Sequence, residues 1–92
     1  MNGARRAEAV ALLDAAMARA ARAQFGAAGE PVAIDVHVVF VAAAHGALAA
    51  DARVIGGGRS VCFCEAEACD GQGQVVARAL GTFRQRAGDE PC

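Results

Sequence analysis

The stretch ARRAEAVALLDAAMARAARAQF, residues 4–25, decides the fold of this chain. It contains no proline, is rich in alanine and stops before Gly26, so it predicts a helix of about six turns. At about 100° per residue, one side of this helix carries an apolar arc that also holds a single carboxylate. The arc consists of Val10, Leu13, Asp14, Met17, Ala21, Gln24 and Phe25. The spacing therefore predicts that Asp14 faces inward.

Four segments downstream of the helix predict strands, at residues 32–41, 48–55, 59–69 and 74–84. The first three alternate with period two, as half-buried strands do. The third has one face of small side chains, Cys62, Cys64, Ala66 and Ala68, which we expect to face the helix. In the first, we expect Val32, Ile34, Val36, Val38 and Phe40 to share one side.

Turn-forming residues lie between these segments. Pro31 fixes an extended conformation after the helix, residues 56–58 predict a tight reversal, and residues 70–73 predict a hairpin connection. The tail, residues 86–92, has no pattern and is predicted to fray. One helix followed by four antiparallel strands predicts an α+β domain over residues 1–92, in which the sheet covers the helix.

Composition excludes several classes of function. The 92 residues carry nine arginines, no lysine and ten acids, with a net charge of -1, and the basic residues form no block of the kind that binds nucleic acid. No apolar run approaches the roughly 18 residues of a membrane span, and the N-terminus is a poor signal peptide. We therefore expect a cytoplasmic protein that binds neither nucleic acid nor membrane.

Among the four cysteines, Cys62 and Cys64 are expected to be free thiols. Cys62 and Cys64 are two apart in a strand, which separates their Cα atoms by about 6.6 Å with parallel Cβ vectors, a poor geometry for a disulfide. A metal site would need further ligands from Cys69, Cys92, His37 or His45, and none has zinc-site spacing. No metal is predicted.

Several short motifs together resemble one family. They are LLDAA at 12–16, VAIDV at 32–36, ARV at 52–54, GR at 58–59, EAE at 65–67, VVARA at 75–79 and GTF at 81–83. In order and spacing they resemble the hotdog-fold acyl-CoA thioesterases, specifically the phenylacetate-degradation type related to 4-hydroxybenzoyl-CoA thioesterase. The resemblance implies one long helix wrapped by an antiparallel sheet. It also implies hydrolysis of aryl or medium-chain acyl-CoA, with Asp14 as general base or nucleophile and coenzyme A only as part of the substrate.

The sequence departs from that family around the expected site. Relatives usually have His-Gly-Gly at the helix start, nine residues ahead of the carboxylate, where the main chain holds the thioester oxygen. In this sequence Arg5, Arg6 and Ala7 stand in place of that motif. The two arginines are alternatively expected to meet the phosphates of CoA. Ala33 stands where relatives often place a hydroxyl residue that binds the nucleophilic water.

The resemblance further implies a CoA contact and an assembly. Gly57, Gly58 and Arg59 form a turn that contacts CoA in many relatives, although a simple hairpin is the alternative. A homodimer, or a dimer of dimers, is expected to form by pairing of the 32–41 strand with its own copy. The family's strand before the helix has no counterpart, so we expect an N-terminally shortened domain with an uncovered opposite edge.

Two other functions compete with hydrolysis. The altered helix start and Ala33 favour a catalytically silent hotdog subunit that binds acyl groups or has a structural role. A dehydratase of the same fold would need a histidine beside an acid, and His37 near Asp35 is the candidate pair.

Overall fold

The computed structural model describes residues 2–26 and 30–86. Helix α1 spans Gly3–Phe25, and the strands that follow are β1 at Glu30–Phe40, β2 at Ala49–Gly57, β3 at Val61–Cys69 and β4 at Val75–Arg86. The predicted helix and four strands are therefore confirmed, with ends that shift by up to two residues. Within the predicted tail, Arg86 is the last residue of β4, and residues 87–92 lie outside the described residues.

Both ends of α1 are capped by local chemistry. The side-chain oxygen of Asn2 accepts a hydrogen bond of 2.9 Å from the Arg5 amide, which satisfies one of the free donors of the first turn. Gly26 follows the helix with φ at 90° and donates its amide to the Arg22 carbonyl at 3.0 Å. A side chain at Gly26 would be strained by that φ, so glycine suits the helix end.

The four strands form one antiparallel sheet in the order β1-β4-β3-β2. Strands β1 and β2 are consequently its edges within the described chain. Each edge strand contains a β-bulge, between Ala33 and Asp35 in β1 and between Val54 and Gly56 in β2. Bulges bend a strand and increase its twist, which helps a small sheet to curl around a helix.

The core lies between α1 and one face of the sheet. Its fully buried side chains include Leu13 and Met17 from the helix and Phe83 from β4. The predicted small face of β3 is confirmed, because Cys62, Cys64, Ala66 and Ala68 are all buried in this core. Small side chains permit close approach, and a Cβ added at Gly81 would come within 3.1 Å of the Met17 sulfur.

The predicted alternation along β1 is wrong in part. Val36 and Val38 do pack against the core, and Phe40, which pairs with the buried Ala77, shares their side of the strand. Ile34 does not share it and is 54% exposed. The bulge at Ile34 inserts one extra residue, which breaks the period-two pattern on which the prediction depended.

Candidate functional site

Asp14 does not face inward, contrary to the prediction. The buried side of α1 runs through Ala9, Leu13, Ala16, Met17, Ala21 and Phe25, and Asp14 is exposed. Near Asp14 the buried stripe is centred on Leu13, and the next residue lies about 100° further around the helix. The stripe reaches Asp14's side of the helix only about two turns later, at Ala21 and Phe25. The prediction used one arc for the whole helix, so it did not show that the buried side rotates along the helix.

The carboxylate of Asp14 is open on the flank of the helix. In the described part of the chain, no cation lies within salt-bridge distance of it and no hydrogen-bond donor is paired with it. Val10, one turn earlier on the same flank, is 37% exposed. An unpaired carboxylate beside an exposed aliphatic side chain is free to meet a ligand or a second subunit.

Arg5 is used within the chain. Its guanidinium pairs with Glu8 at 3.0 Å and donates to the Gly46 carbonyl in the loop between β1 and β2. These contacts tie the first turn of the helix to that loop. The expectation that Arg5 binds CoA phosphates finds no support here, because its guanidinium already contacts Glu8 and Gly46.

Arg6 has a different environment. Its guanidinium lies over the Phe40 ring, 5.7 Å from the ring centroid, which is within the range of a cation–π contact. Both residues are exposed, and Ala7 beside them is exposed as well. Phe40 was not among the site residues that the sequence indicated, because no local pattern relates it to Arg6.

The helix start offers no open pair of main-chain donors at Arg5 and Arg6. The Arg5 amide donates to the Asn2 side chain, and the Arg6 amide donates to the Asn2 carbonyl at 3.0 Å. The expected main-chain contact to a thioester oxygen at these residues is therefore not supported. Asn2 explains the difference, because an N-cap side chain takes the donor that an open helix end would present.

The remaining predicted residues lie at the other end of the sheet. Gly57 has φ at 95°, and a Cβ there would overlap the Val61 carbonyl, so the tight reversal is confirmed and glycine is required. Gly58 donates to Val61 at 2.8 Å, and Arg59 is exposed. Ala33 pairs with Phe83, opposite Cys62 at the same end. Within one chain, Ala33 and the 57–59 turn therefore lie at the opposite end of the sheet from Phe40 and Arg6.

Asp35 and His37 lie on the outer face of the sheet, away from the helix. They border a shallow cavity of about 470 Å³ together with Ile55, Phe63, Leu80 and Thr82. A neighbouring cavity of about 680 Å³ includes His37 and the ion pairs Arg53–Glu65 and Arg78–Glu67. Because Asp14 is on the helix, neither cavity contains it, so the sheet-face pair and the helix carboxylate do not form one site.

Asp70 is a buried carboxylate in the turn predicted at residues 70–73. Burial opposes its ionisation, but backbone N–H groups of His45, Gln74 and Gln72, each at 3.0 Å, outweigh that effect and lower its pKa. The bond to His45 links the β3–β4 turn to the β1–β2 loop. The Gly46 carbonyl of that loop also accepts a hydrogen bond from Arg5. The signal in the sequence is an Asp at the start of a glycine-containing turn.

The free thiols expected at Cys62 and Cys64 are confirmed. Cys62 and Cys64 are buried and unbridged, and Cys69 is half-buried and free, while Cys92 lies outside the described residues. Across residues 2–26 and 30–86, no group of three or more His, Cys, Asp or Glu is arranged to hold a metal ion. The same part of the chain contains no helix with the length and hydropathy of a membrane span.

Several solved structures are similar to this chain. The BH2602 protein of Bacillus halodurans, whose structure was determined with CoA, superposes with a TM-score of 0.81 at 25% identity, covering 87% of this chain and 57% of that one. The conserved protein PA5202 of Pseudomonas aeruginosa gives 0.77 at 29% identity, covering 94% and 66%. A Shewanella oneidensis protein related to the thioesterase superfamily gives 0.65 at 19% identity, covering 91% and 62%, which shows the fold alone. The chain spans less than two thirds of each structure.

No curated protein is significantly similar to this sequence. The family described as acyl-CoA thioesterase N-terminal domain, however, matches residues 11–84, which contain Asp14 and nearly the whole sheet. The phenylacetate-degradation subtype stays a prediction. The chain belongs to the acyl-CoA thioesterase N-terminal domain family and has the hotdog fold of the thioesterase superfamily.

Proposed function

We propose that this protein hydrolyses acyl-CoA thioesters, with Asp14 as general base on a water molecule or as nucleophile. The observation that carries the proposal is the carboxylate of Asp14, which is exposed and has no partner among the described residues, on the helix of a thioesterase-family domain. The CoA in the BH2602 structure supports a CoA-linked substrate. An aryl or medium-chain acyl group and a cytoplasmic location remain proposals from the sequence.

As a general base, Asp14 takes a proton from water while the water oxygen attacks the thioester carbonyl. The C–S bond then breaks, and the proton passes to the departing thiolate, so that the products are a carboxylic acid and free CoA. General-base assistance is worth roughly a hundred- to ten-thousand-fold in rate. Val10, one turn earlier on the helix, is the apolar residue next to this carboxylate along the helix surface.

We infer that the site is completed by a second copy through β1. β1 is an edge strand that exposes Val39 and Phe40 at 49% and 39%. If two β1 strands pair antiparallel, the Glu30 end of one lies beside the Phe40 end of the other. The 57–59 turn lies at the Glu30 end of the sheet, because Glu30 pairs with Arg86 and Val61 with Arg84. Pairing thus carries the turn of one copy toward the helix start of the other.

Turnover of a panel of aryl- and alkyl-CoA thioesters by Asp14→Asn tests the proposal. We expect kcat to fall by at least a hundredfold, because the amide cannot accept the proton of the water. Asp51→Asn is the matched control, since Asp51 is also an exposed carboxylate but lies on β2. Unchanged hydrolysis by Asp14→Asn would rule out the assigned role.

A catalytically silent subunit is the second candidate. The observation that favours it is the use of the Arg5 and Arg6 amides by Asn2, because these two residues then do not supply the expected oxyanion contact. Such a subunit would bind a non-hydrolysable CoA thioether while turning over none of the panel. Detectable hydrolysis that is lost in Asp14→Asn excludes this candidate.

A further inference from the structure

Arg6 differs from the arginines of this chain that form ion pairs. Arg5, Arg53 and Arg78 each pair with a glutamate, at Glu8, Glu65 and Glu67. In residues 2–26 and 30–86, no carboxylate lies within salt-bridge distance of Arg6, and its guanidinium rests instead over Phe40. A ring face attracts the cation without neutralising it. The guanidinium is therefore held in place with its charge and its outer N–H donors available.

The position of Arg6 relates it to Asp14. The two residues are eight apart on α1, with Val10 midway, so residues 6, 10 and 14 succeed one another at intervals of about one turn. Each is rotated by about 40° around the helix from the one before. Eight residues of helix rise by about 12 Å. A pantetheine arm is about as long as four extended residues, or roughly 14 Å, so these two positions match its two ends.

We propose that Arg6, positioned by Phe40, binds the phosphate at the far end of the pantetheine arm while the thioester lies at Asp14. This inference rests on the proposed function, and it makes Arg6 a specificity-determining residue and Phe40 its positioning residue. Arginine suits the role because its planar donors match a phosphate group in a two-pronged contact. The site then selects phosphate-bearing thiol carriers over neutral thioesters.

The test presents one acyl group on three carriers, which are coenzyme A, 4′-phosphopantetheine and pantetheine. For Arg6→Gln we expect KM to rise about ten- to a hundredfold with the first two carriers and to stay unchanged with pantetheine. For Phe40→Leu we expect a rise of about two- to fivefold with the same selectivity, since the ring contact is worth less than the phosphate contact. Arg19→Gln, an exposed arginine elsewhere on the helix, should change none of the three.

The outcomes separate this inference from the proposed function. An equal effect of Arg6→Gln on all three carriers, no effect on any, or an effect confined to coenzyme A would overturn it. If wild-type protein hydrolyses none of the thioesters, calorimetric binding of non-hydrolysable thioethers of the same carriers replaces KM. Arg6-dependent preference for the phosphorylated thioethers would then support the phosphate contact although hydrolysis had failed, and its absence would overturn the contact independently.

Discussion

Cys64 shows how a single buried group links packing to pH. Burial and the neighbouring Cys62 thiol, with the two sulfurs 4.0 Å apart, raise the pKa of Cys64 to about 12. Its sulfur also contacts the Met17 carbonyl at 3.8 Å. The thiol therefore stays protonated under the helix well above the pH at which an unfolded cysteine ionises.

The raised pKa predicts a loss of stability in alkali. Because the folded pKa lies above the ordinary value of 9.0, the unfolded chain releases a proton that the folded chain keeps. The contribution of Cys64 is complete below about pH 9 and declines as pH rises toward about 12. Urea titrations should show the midpoint of wild-type protein falling more steeply between pH 8 and 10.5 than that of Cys64→Ala. Parallel slopes for the two proteins would contradict the assignment.

At the scale of elements, the β3–β4 hairpin depends on Asp70. One carboxylate oxygen accepts the Gln72 and Gln74 amides and the other accepts the His45 amide, so the turn and the β1–β2 loop share one anchor. The lowered pKa of Asp70 reflects these donors. An asparagine in its place must present its NH₂ group to one of them, which leaves that backbone amide unsatisfied.

Asp70→Asn is consequently expected to lower the melting temperature at neutral pH by several degrees. Since the folded pKa of Asp70 is below its ordinary value of 3.8, its stabilisation is present above about pH 4 and is lost as pH falls further. The gap between wild type and variant should thus narrow between pH 5 and pH 3. Calorimetry of both, with Asp51→Asn as an exposed control, measures this; a gap that is constant across the range would be inconsistent with it.

The elements also show which parts of the fold follow from sequence. Alanine content, Gly26 and the small face at Cys62 and Cys64 define local preferences, so the helix, four strands and the buried face of β3 were predicted correctly. The bulge at Ile34 and the rotating stripe of α1 depend on how the sheet twists against the helix. Those are tertiary effects, and they put Ile34 and Asp14 on the exposed side although the sequence predicts both on the buried side.

The candidate site, like the fold, could be predicted from the sequence only in part. Asp14 was identifiable as an isolated carboxylate in a family-like motif, but its open position was not. Arg5 and Arg6 are neighbours in sequence, and only the contacts with Gly46 and Phe40 distinguish a structural arginine from an available one. Such contacts join residues more than thirty positions apart, beyond the reach of any local pattern.

For the whole molecule, assembly through β1 is the remaining prediction. Val39→Lys places a charge on the edge strand, where it should prevent a second β1 from pairing. Phe63→Lys is the matched control, because Phe63 is 46% exposed and Val39 is 49% exposed, but Phe63 lies on the interior strand β3. Light scattering at micromolar concentration should show Val39→Lys as a monomer and Phe63→Lys as a dimer. The melting temperature should rise with protein concentration for Phe63→Lys and not for Val39→Lys, since only a dimer is stabilised by mass action. Equal masses for the two variants would place the interface elsewhere, and the 57–59 turn of a second copy would then have no route to the helix start.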